Sequence, residues 1–226
     1  MKTLAYLSLT AFCLGSSLAS AADLRTQNPY NKVFAEIAAP DYPGKAAAEV
    51  KQAEVTKQAS VTVLVVRAAL GQRPASAPAV TAAIAREVPE MAAMAAYTAA
   101  AEQPKQAVAI ATAAAVAAPG QAGKIVSQVC AVVPGQYRSI ALAVAKVAPD
   151  SSRDILKALA ESNPGLKASL DQSLASQPGD FDSAGVTAAL DRAENTNRLS
   201  SVGSRPYVTP GPQPIIPPGG YNYSKP

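Results

Sequence analysis

Hydrophobic and small residues recur along most of the chain with a period of 15 residues. The period is clearest in an unbroken series of prolines at this step: Pro74, Pro89, Pro104, Pro119, Pro134, Pro149 and Pro164. With the proline as position 1, positions 7 and 11 are aliphatic or alanine throughout, and position 4 is mostly small. Positions 4, 7, 8 and 11 share one face of an α-helix. The pattern therefore predicts one amphipathic helix in each unit.

The prolines predict where these helices begin and end. Proline suits the first turn of a helix, where its missing N–H has no partner, and it disfavours helical geometry in the preceding residue. Each unit then becomes a helix of about 11 residues, roughly 16 Å long, which is stable only when it packs against neighbours. The alternative is a long helix kinked at every proline, which we disfavour because each interior proline costs about 3 kcal/mol.

These short helices predict an all-α fold. Two antiparallel units would form a hairpin comparable in size to known helical repeats. We therefore expect a tandem array that is either an α-solenoid or a compact helical bundle. The unit Pro104–Ala118 is apolar almost all round, so we expect that the stack closes on itself there or that this surface meets another chain.

The array is predicted to extend towards the N-terminus, because Pro29 is in register with Pro74. Gly44 and Ala59 occupy the two intervening positions. Since no proline stands at position 59, the segment from Gly44 to Leu70 is predicted to run as one helix about two units long.

The C-terminal end of the array departs from the period. Beyond Leu174 the register slips by one at Pro178, and a last helix from about Ser183 to Glu194 is predicted to cap the stack. The repeat domain is thus residues 22–194. Residues 195–226 are rich in proline, glycine and tyrosine and have no periodicity, so we predict a disordered, polyproline-like tail.

The N-terminus predicts export. Lys2 precedes an apolar run from Leu4 to Leu14, and Ala19-Ser20-Ala21 offers a signal peptidase site. The run is shorter than the roughly 20 residues needed to span a bilayer, and the bulky Phe12 argues against a lipid anchor on Cys13. We predict a signal peptide over residues 1–21 and an exported, periplasmic or extracellular protein without a transmembrane segment.

Composition excludes several kinds of chemistry. The chain has no histidine and no tryptophan, so histidine-based catalysis and metal sites built from Cys and His are excluded. Of 20 basic residues, all but Lys2, Arg198, Arg205 and Lys225 lie between residues 22 and 194, together with all 16 acidic ones. This neutral body argues against nucleic acid as a partner.

Within the units from Pro104 to Asn163, a pattern recurs such as that from Ile125-Val126 through Val133-Pro134. These units resemble uncharacterised exported alanine-rich helical-repeat proteins of bacteria. The shared pattern is low in complexity, so the resemblance implies an architecture and carries no functional residue.

Cys130 occupies position 12, where the other six units have alanine. We interpret it as a small buried apolar residue at a close helix contact rather than as a reactive or intermolecular thiol.

The segment Asp180-Phe181-Asp182-Ser183-Ala184-Gly185, with Asp191 as the twelfth residue, loosely resembles a calcium loop. Ala184 stands where that loop needs a ligand. We favour the alternative that Asp182 or Ser183 caps the start of a helix.

Two turns, Pro119-Gly120-Gln121 and Pro134-Gly135-Gln136, place glycine at a helix start near Lys124 and Arg138. Bare N–H groups beside a cation suit a small anion, but without phosphate-loop spacing we favour a role in easing the turn. Ser127 lies three residues after Lys124, yet nothing marks these two as a catalytic pair. We predict no catalytic, cofactor-binding or metal-binding residues.

The leading functional hypothesis is a non-enzymatic scaffold or binding protein of the cell envelope or exterior, since repeat arrays usually present surfaces. Its partner would be an envelope protein or a cell-wall polymer. One alternative is a hydrolase of sugar or peptide that uses carboxylates such as Asp150 and Asp154, which requires two acids about 5 to 10 Å apart. Another is a peripheral membrane-surface protein.

Overall fold

The computed structural model describes residues 28–177, 179 and 181–203, so the predicted signal peptide and residues 204–226 lie outside the described residues. The described residues form eleven α-helices and no β-strand. The helices are α1 (Asn31–Ala35), α2 (Tyr42–Gln52), α3 (Gln58–Gln72), α4 (Ala77–Glu87), α5 (Ala92–Glu102), α6 (Ala107–Ala117), α7 (Ala122–Val132), α8 (Tyr137–Val147), α9 (Ser152–Ser162), α10 (Pro164–Ser176) and α11 (Ser183–Gly203).

The prolines separate the helices as predicted. Six of the seven begin a three-residue 3-10 turn that leads directly into an 11-residue α-helix, as Pro119–Gln121 leads into α7. The residue before this proline, Ala118, is non-helical, with φ −138° and ψ 72°. A following proline disfavours α-helical geometry in the residue before it. The prediction of short helices is therefore confirmed. Pro164 differs in being the first residue of a 13-residue helix, α10, which has no 3-10 turn before it.

The repeat helices form two layers, because each packs extensively on the helix two units away. One layer contains α2, α4, α6 and α8, and the other contains α3, α5, α7 and α9. Hydrogen bonds join equivalent turns within a layer: Gln106 Nε2 donates to Pro74 O (3.1 Å), and Ser151 Oγ donates to Pro119 O (3.0 Å). Helices of one layer therefore run parallel, and the structural repeat is a pair of units.

The core lies between the two layers and is built from the predicted positions. The position-7 residues Ile110, Ile125, Ile140 and Ile155 are fully buried. Each such side chain contributes about 1.5–3 kcal/mol by leaving water. Alanine fills most of the remaining core positions, which lets the helices approach closely.

The stack is an open α-solenoid. Extensive packing joins only helices that are close along the chain, so the described helices do not close into a ring or bundle. The outer face of α6, which is predicted to be buried, is open: Val116 is 61% exposed. The stack does not close on itself at this unit, and contact with another chain stays a prediction.

The N-terminal end differs from its prediction. Residues 44–70 are not one helix, because the chain breaks at Ala53 and Glu54 and a 3-10 turn separates α2 from α3. A straight helix would keep both apolar segments in one layer, whereas the break places α2 and α3 in opposite layers. The unit beginning near Pro29 is only the single turn α1, which packs on α3.

The C-terminal end is capped by α10 and α11. As predicted, the last helix begins at Ser183, but it continues to Gly203 instead of ending at Glu194. The predicted tail boundary at Asn195 is therefore wrong, and the physical reason is that residues 195–203 contain neither proline nor an interior glycine to stop the helix. No helix in the described part of the chain combines the length and apolarity needed to cross a membrane.

Candidate ligand-binding groove

A groove with a volume of about 550 Å³ crosses the outer face of the layer that contains α3, α5, α7 and α9. Four neighbouring helices therefore contribute to one continuous depression. The lining residues are Ala59, Glu90, Met91, Ala93, Met94, Gly120, Gly123, Lys124, Ser127, Gln128, Asp154, Lys157, Ala158 and Glu161.

Small residues and methionines form much of the groove surface. At Gly123 a Cβ atom would lie 3.0 Å from the backbone oxygen of Asp154, so the missing side chain is what lets α9 lie close to α7. At Gly120 a Cβ would meet nothing within 4 Å. Met91 and Met94, on the α5 side, add flexible apolar side chains of the kind that adapt to varied ligands.

Charged side chains of both signs also line the groove. Glu90, Lys124, Asp154 and Lys157 take no part in the ion pairs found between described residues. Glu161 takes no part in these ion pairs either, but its charge helps to raise the pKa of Lys167, after the hydrogen bond and charge of Asp171. The groove therefore offers two cations and two anions whose charges are free to meet a ligand.

Ser127 lies in the groove, but its hydroxyl is engaged. Its Oγ is 3.1 Å from Ser162 Oγ, and Ser162 Oγ donates to the backbone oxygen of Ala158 at 2.7 Å. Because Ser162 uses its proton there, Ser127 is the donor to Ser162. A pairing of this hydroxyl with Lys124 is not formed, although both residues line the groove.

The two carboxylates considered for hydrolysis are not brought together in the groove. Asp154 lines it, whereas Asp150 lies exposed in the preceding 3-10 turn and is not part of its lining. The other groove carboxylates are Glu90, beside α5, and Glu161, at the end of α9.

Cys130 is buried in α7, with 3% of its surface exposed. Burial raises the pKa of its thiol to about 12. The thiol is therefore protonated at neutral pH, and the interpretation as a small buried apolar residue is confirmed.

The helix-start interpretation of the calcium-like segment is confirmed at Asp182. Its Oδ1 accepts a hydrogen bond of 2.6 Å from the backbone N–H of Gly185, which is an N-terminal cap of α11. Asp180 lies outside the described residues. No group of three or more His, Cys, Asp or Glu side chains able to hold a metal ion occurs in the described ranges.

Arg138, the cation near Gly135, forms contacts with α11 that were not predicted from the sequence. Arg138 donates to Asp191 (2.5 Å) and Glu194 (2.9 Å) of α11, and the Tyr137 hydroxyl donates to Glu194 (2.8 Å). Hydrogen bonds to Asp191 and then Glu194 raise the pKa of Arg138. Burial, followed by the bond to Glu194, raises the pKa of Tyr137 to about 12. We call this cluster of four residues the α8–α11 clamp.

The ligand of the groove has to be inferred from its own side chains. Sequence reasoning missed the groove because its residues come from units 30 residues apart, which only the two-layer topology brings together. The available signal was the presence of charged and flexible residues at position 6 of alternate units: Met94, Lys124 and Asp154. No protein-family model, curated protein or solved structure matches this chain, so comparison with known proteins assigns it neither a ligand nor a reaction.

Proposed function

We propose that this protein is a non-enzymatic binding scaffold, exported to the cell envelope or exterior, whose concave groove holds an extended stretch of polypeptide. The observation that carries the proposal is the continuity of the groove across four parallel helices. Helices pack about 8–10 Å apart, so four of them span about 24–30 Å. An extended peptide covers that distance with roughly eight residues.

The chemistry of the groove supports a polypeptide over a small molecule. Lys124 and Lys157 can pair with acidic side chains, while Glu90 and Asp154 can pair with basic ones. The apolar side chains of Met91 and Met94 suit ligand side chains between the charges. An open, elongated surface of mixed charge matches a chain of alternating side chains better than a compact ligand, which usually fills an enclosed pocket.

Two glycines provide a matched test. Gly120 lines the groove and Gly135 does not, yet both follow a proline in a Pro-Gly-Gln turn, and a Cβ at either would meet nothing within 4 Å. A large side chain is therefore tolerated by the fold at both sites but fills the groove only at position 120.

The experiment selects peptides from a displayed library of random linear peptides on the full chain and measures their affinity for Gly120→Trp and Gly135→Trp. We expect Gly120→Trp to weaken binding by about tenfold or more, equivalent to about 1.4 kcal/mol, and Gly135→Trp to leave it unchanged. Equal affinities for the two variants would contradict a peptide site in this groove. Binding of cell-wall polymer or anionic vesicles instead of peptides, or turnover of a bound peptide, would replace the proposal with one of its alternatives.

A further inference from the structure

We propose that residues 204–226 of the same chain bind reversibly in the groove and compete there with an external ligand. This inference rests on the proposed function, because it takes the groove to be a polypeptide site. It adds an internal occupant and hence a regulation of that site. Three observations support the inference: the place where the chain leaves the described fold, the length of the remaining segment and the side chains of that segment.

The last described helix runs past the start of α10. Arg192 Nη1 of α11 donates to Ser173 Oγ of α10, while Asn197 lies next to Gly165, where a Cβ would be 3.6 Å from Asn197 Nδ2. The two helices therefore run antiparallel, and α11 passes the start of α10 on its way to Gly203. The start of α10 directly follows the end of α9, where Glu161 forms one end of the groove lining. The following residues thus leave the described fold beyond the start of α10, where α11 packs on α8 and α10.

The remaining chain is long enough to cover the groove. Residues 204–226 number 23, and a polyproline-type chain of that length reaches about 70 Å at 3.1 Å per residue. The four helices that form the groove span about 24–30 Å. Less than half of the segment therefore suffices to cross from α9 to α3.

The side chains of the segment complement those of the groove. Residues 204–226 contain Arg205 and Lys225 and no acidic residue. The groove has three carboxylates and two ammonium groups, so its net charge is −1. The segment also carries six apolar or aromatic residues suited to the methionine and alanine surface: Tyr207, Val208, Ile215, Ile216, Tyr221 and Tyr223. Its prolines lower the entropy lost on binding in an extended conformation.

A photo-crosslinking experiment on the full chain tests this contact. Incorporation of p-benzoylphenylalanine in place of Tyr207 puts a benzophenone on the segment, and benzophenones react efficiently with methionine side chains. The chain has three methionines, and two of them, Met91 and Met94, line the groove. We expect crosslinks to these two within one chain, which Gly120→Trp removes and Gly135→Trp keeps.

Two results would overturn the inference: crosslinks to surfaces other than the groove, or crosslinks that join two copies of the chain.

A second measurement distinguishes failure of the internal contact from failure of the proposed function. With a selected peptide as the probe, the double variant Arg205→Ser, Lys225→Ser is expected to bind about threefold more tightly, because the internal competitor is weakened. If the peptide binds with unchanged affinity, the internal occupant is wrong while the polypeptide site stands. If no peptide binds but the crosslinks reach Met91 and Met94, the internal contact is supported and the proposed binding of an external polypeptide is wrong.

Discussion

Gly123 lies where α9 comes closest to α7. A Cβ there would be 3.0 Å from Asp154 O and 3.1 Å from Asp154 Cβ. These neighbours belong to the helix backbone and the base of a side chain, so they cannot move unless α9 moves as a whole. At the scale of single residues, the missing side chain of Gly123 thus sets the helix spacing beneath the groove.

We predict that Gly123→Leu destabilises the fold by about 1–3 kcal/mol, the usual cost of overpacking. The higher helix propensity of leucine, worth about 1 kcal/mol over glycine, offsets part of that cost. Urea unfolding monitored by circular dichroism measures the difference. Gly120→Leu is the matched control, since open space surrounds that position, and we expect it to change stability little. Equal stabilities for both variants would show that α7 and α9 are not this close.

At the scale of the helix, α11 is joined to α8 by polar contacts as well as by its buried apolar side chains. The clamp joins Arg138 and Tyr137 of α8 to Glu194 and Asp191 of α11. Arg138 is about one third exposed and Asp191 more than half exposed, so solvent screens the ion pairs and each contributes little. The Tyr137 hydroxyl gives the clamp a pH dependence in the alkaline range.

The pKa of Tyr137 rises from 10.0 to about 12 in the folded protein. Because the folded-state pKa is the higher one, the stabilisation is complete below pH 10 and is lost as pH rises towards 12. We predict that Tyr137→Phe lowers the free energy of unfolding by about 1 kcal/mol near neutral pH. The difference between this variant and the natural chain is expected to become smaller as the pH approaches 12. Thermal melting at several pH values measures it. The control is Tyr97→Phe, because no hydrogen bond of the exposed Tyr97 hydroxyl is found among the described residues, and we expect this variant to change stability little. A constant difference for Tyr137→Phe would contradict the hydrogen bond to Glu194.

The helices themselves were largely predictable from the sequence, because proline and the 3.6-residue period act within one unit. The six 11-residue helices from α4 to α9 follow from this local information. The break between α2 and α3 was not predictable in the same way, since no proline marks it. Its cause is the need of each helix to bury an apolar face in a different layer, which is a tertiary effect.

At the scale of the whole molecule, the two-layer stacking creates the groove. Lys124 and Asp154 look like ordinary surface residues when each unit is considered alone. They line one face because α7 and α9 are neighbours in the same layer, although α8 separates them along the chain. The period predicted the units, but it did not decide between an open solenoid and a closed bundle. That choice depends on how the units pack.

The most direct test of the account is therefore whether alternate helices pack directly on each other. Ser127 Oγ and Ser162 Oγ lie 3.1 Å apart, although the two residues are separated by 35 positions in the chain. In a Cys130→Ala background that also lacks Cys13, cysteines at both serine positions should form a disulfide under mild oxidation, seen as a mobility shift on non-reducing gels. The control pairs Ser127→Cys with Ser139→Cys, which lies exposed on α8 in the other layer. Rapid oxidation of the first pair and not of the control is the predicted result. No disulfide between positions 127 and 162, or equal oxidation of both pairs, would contradict the parallel stacking on which the groove depends.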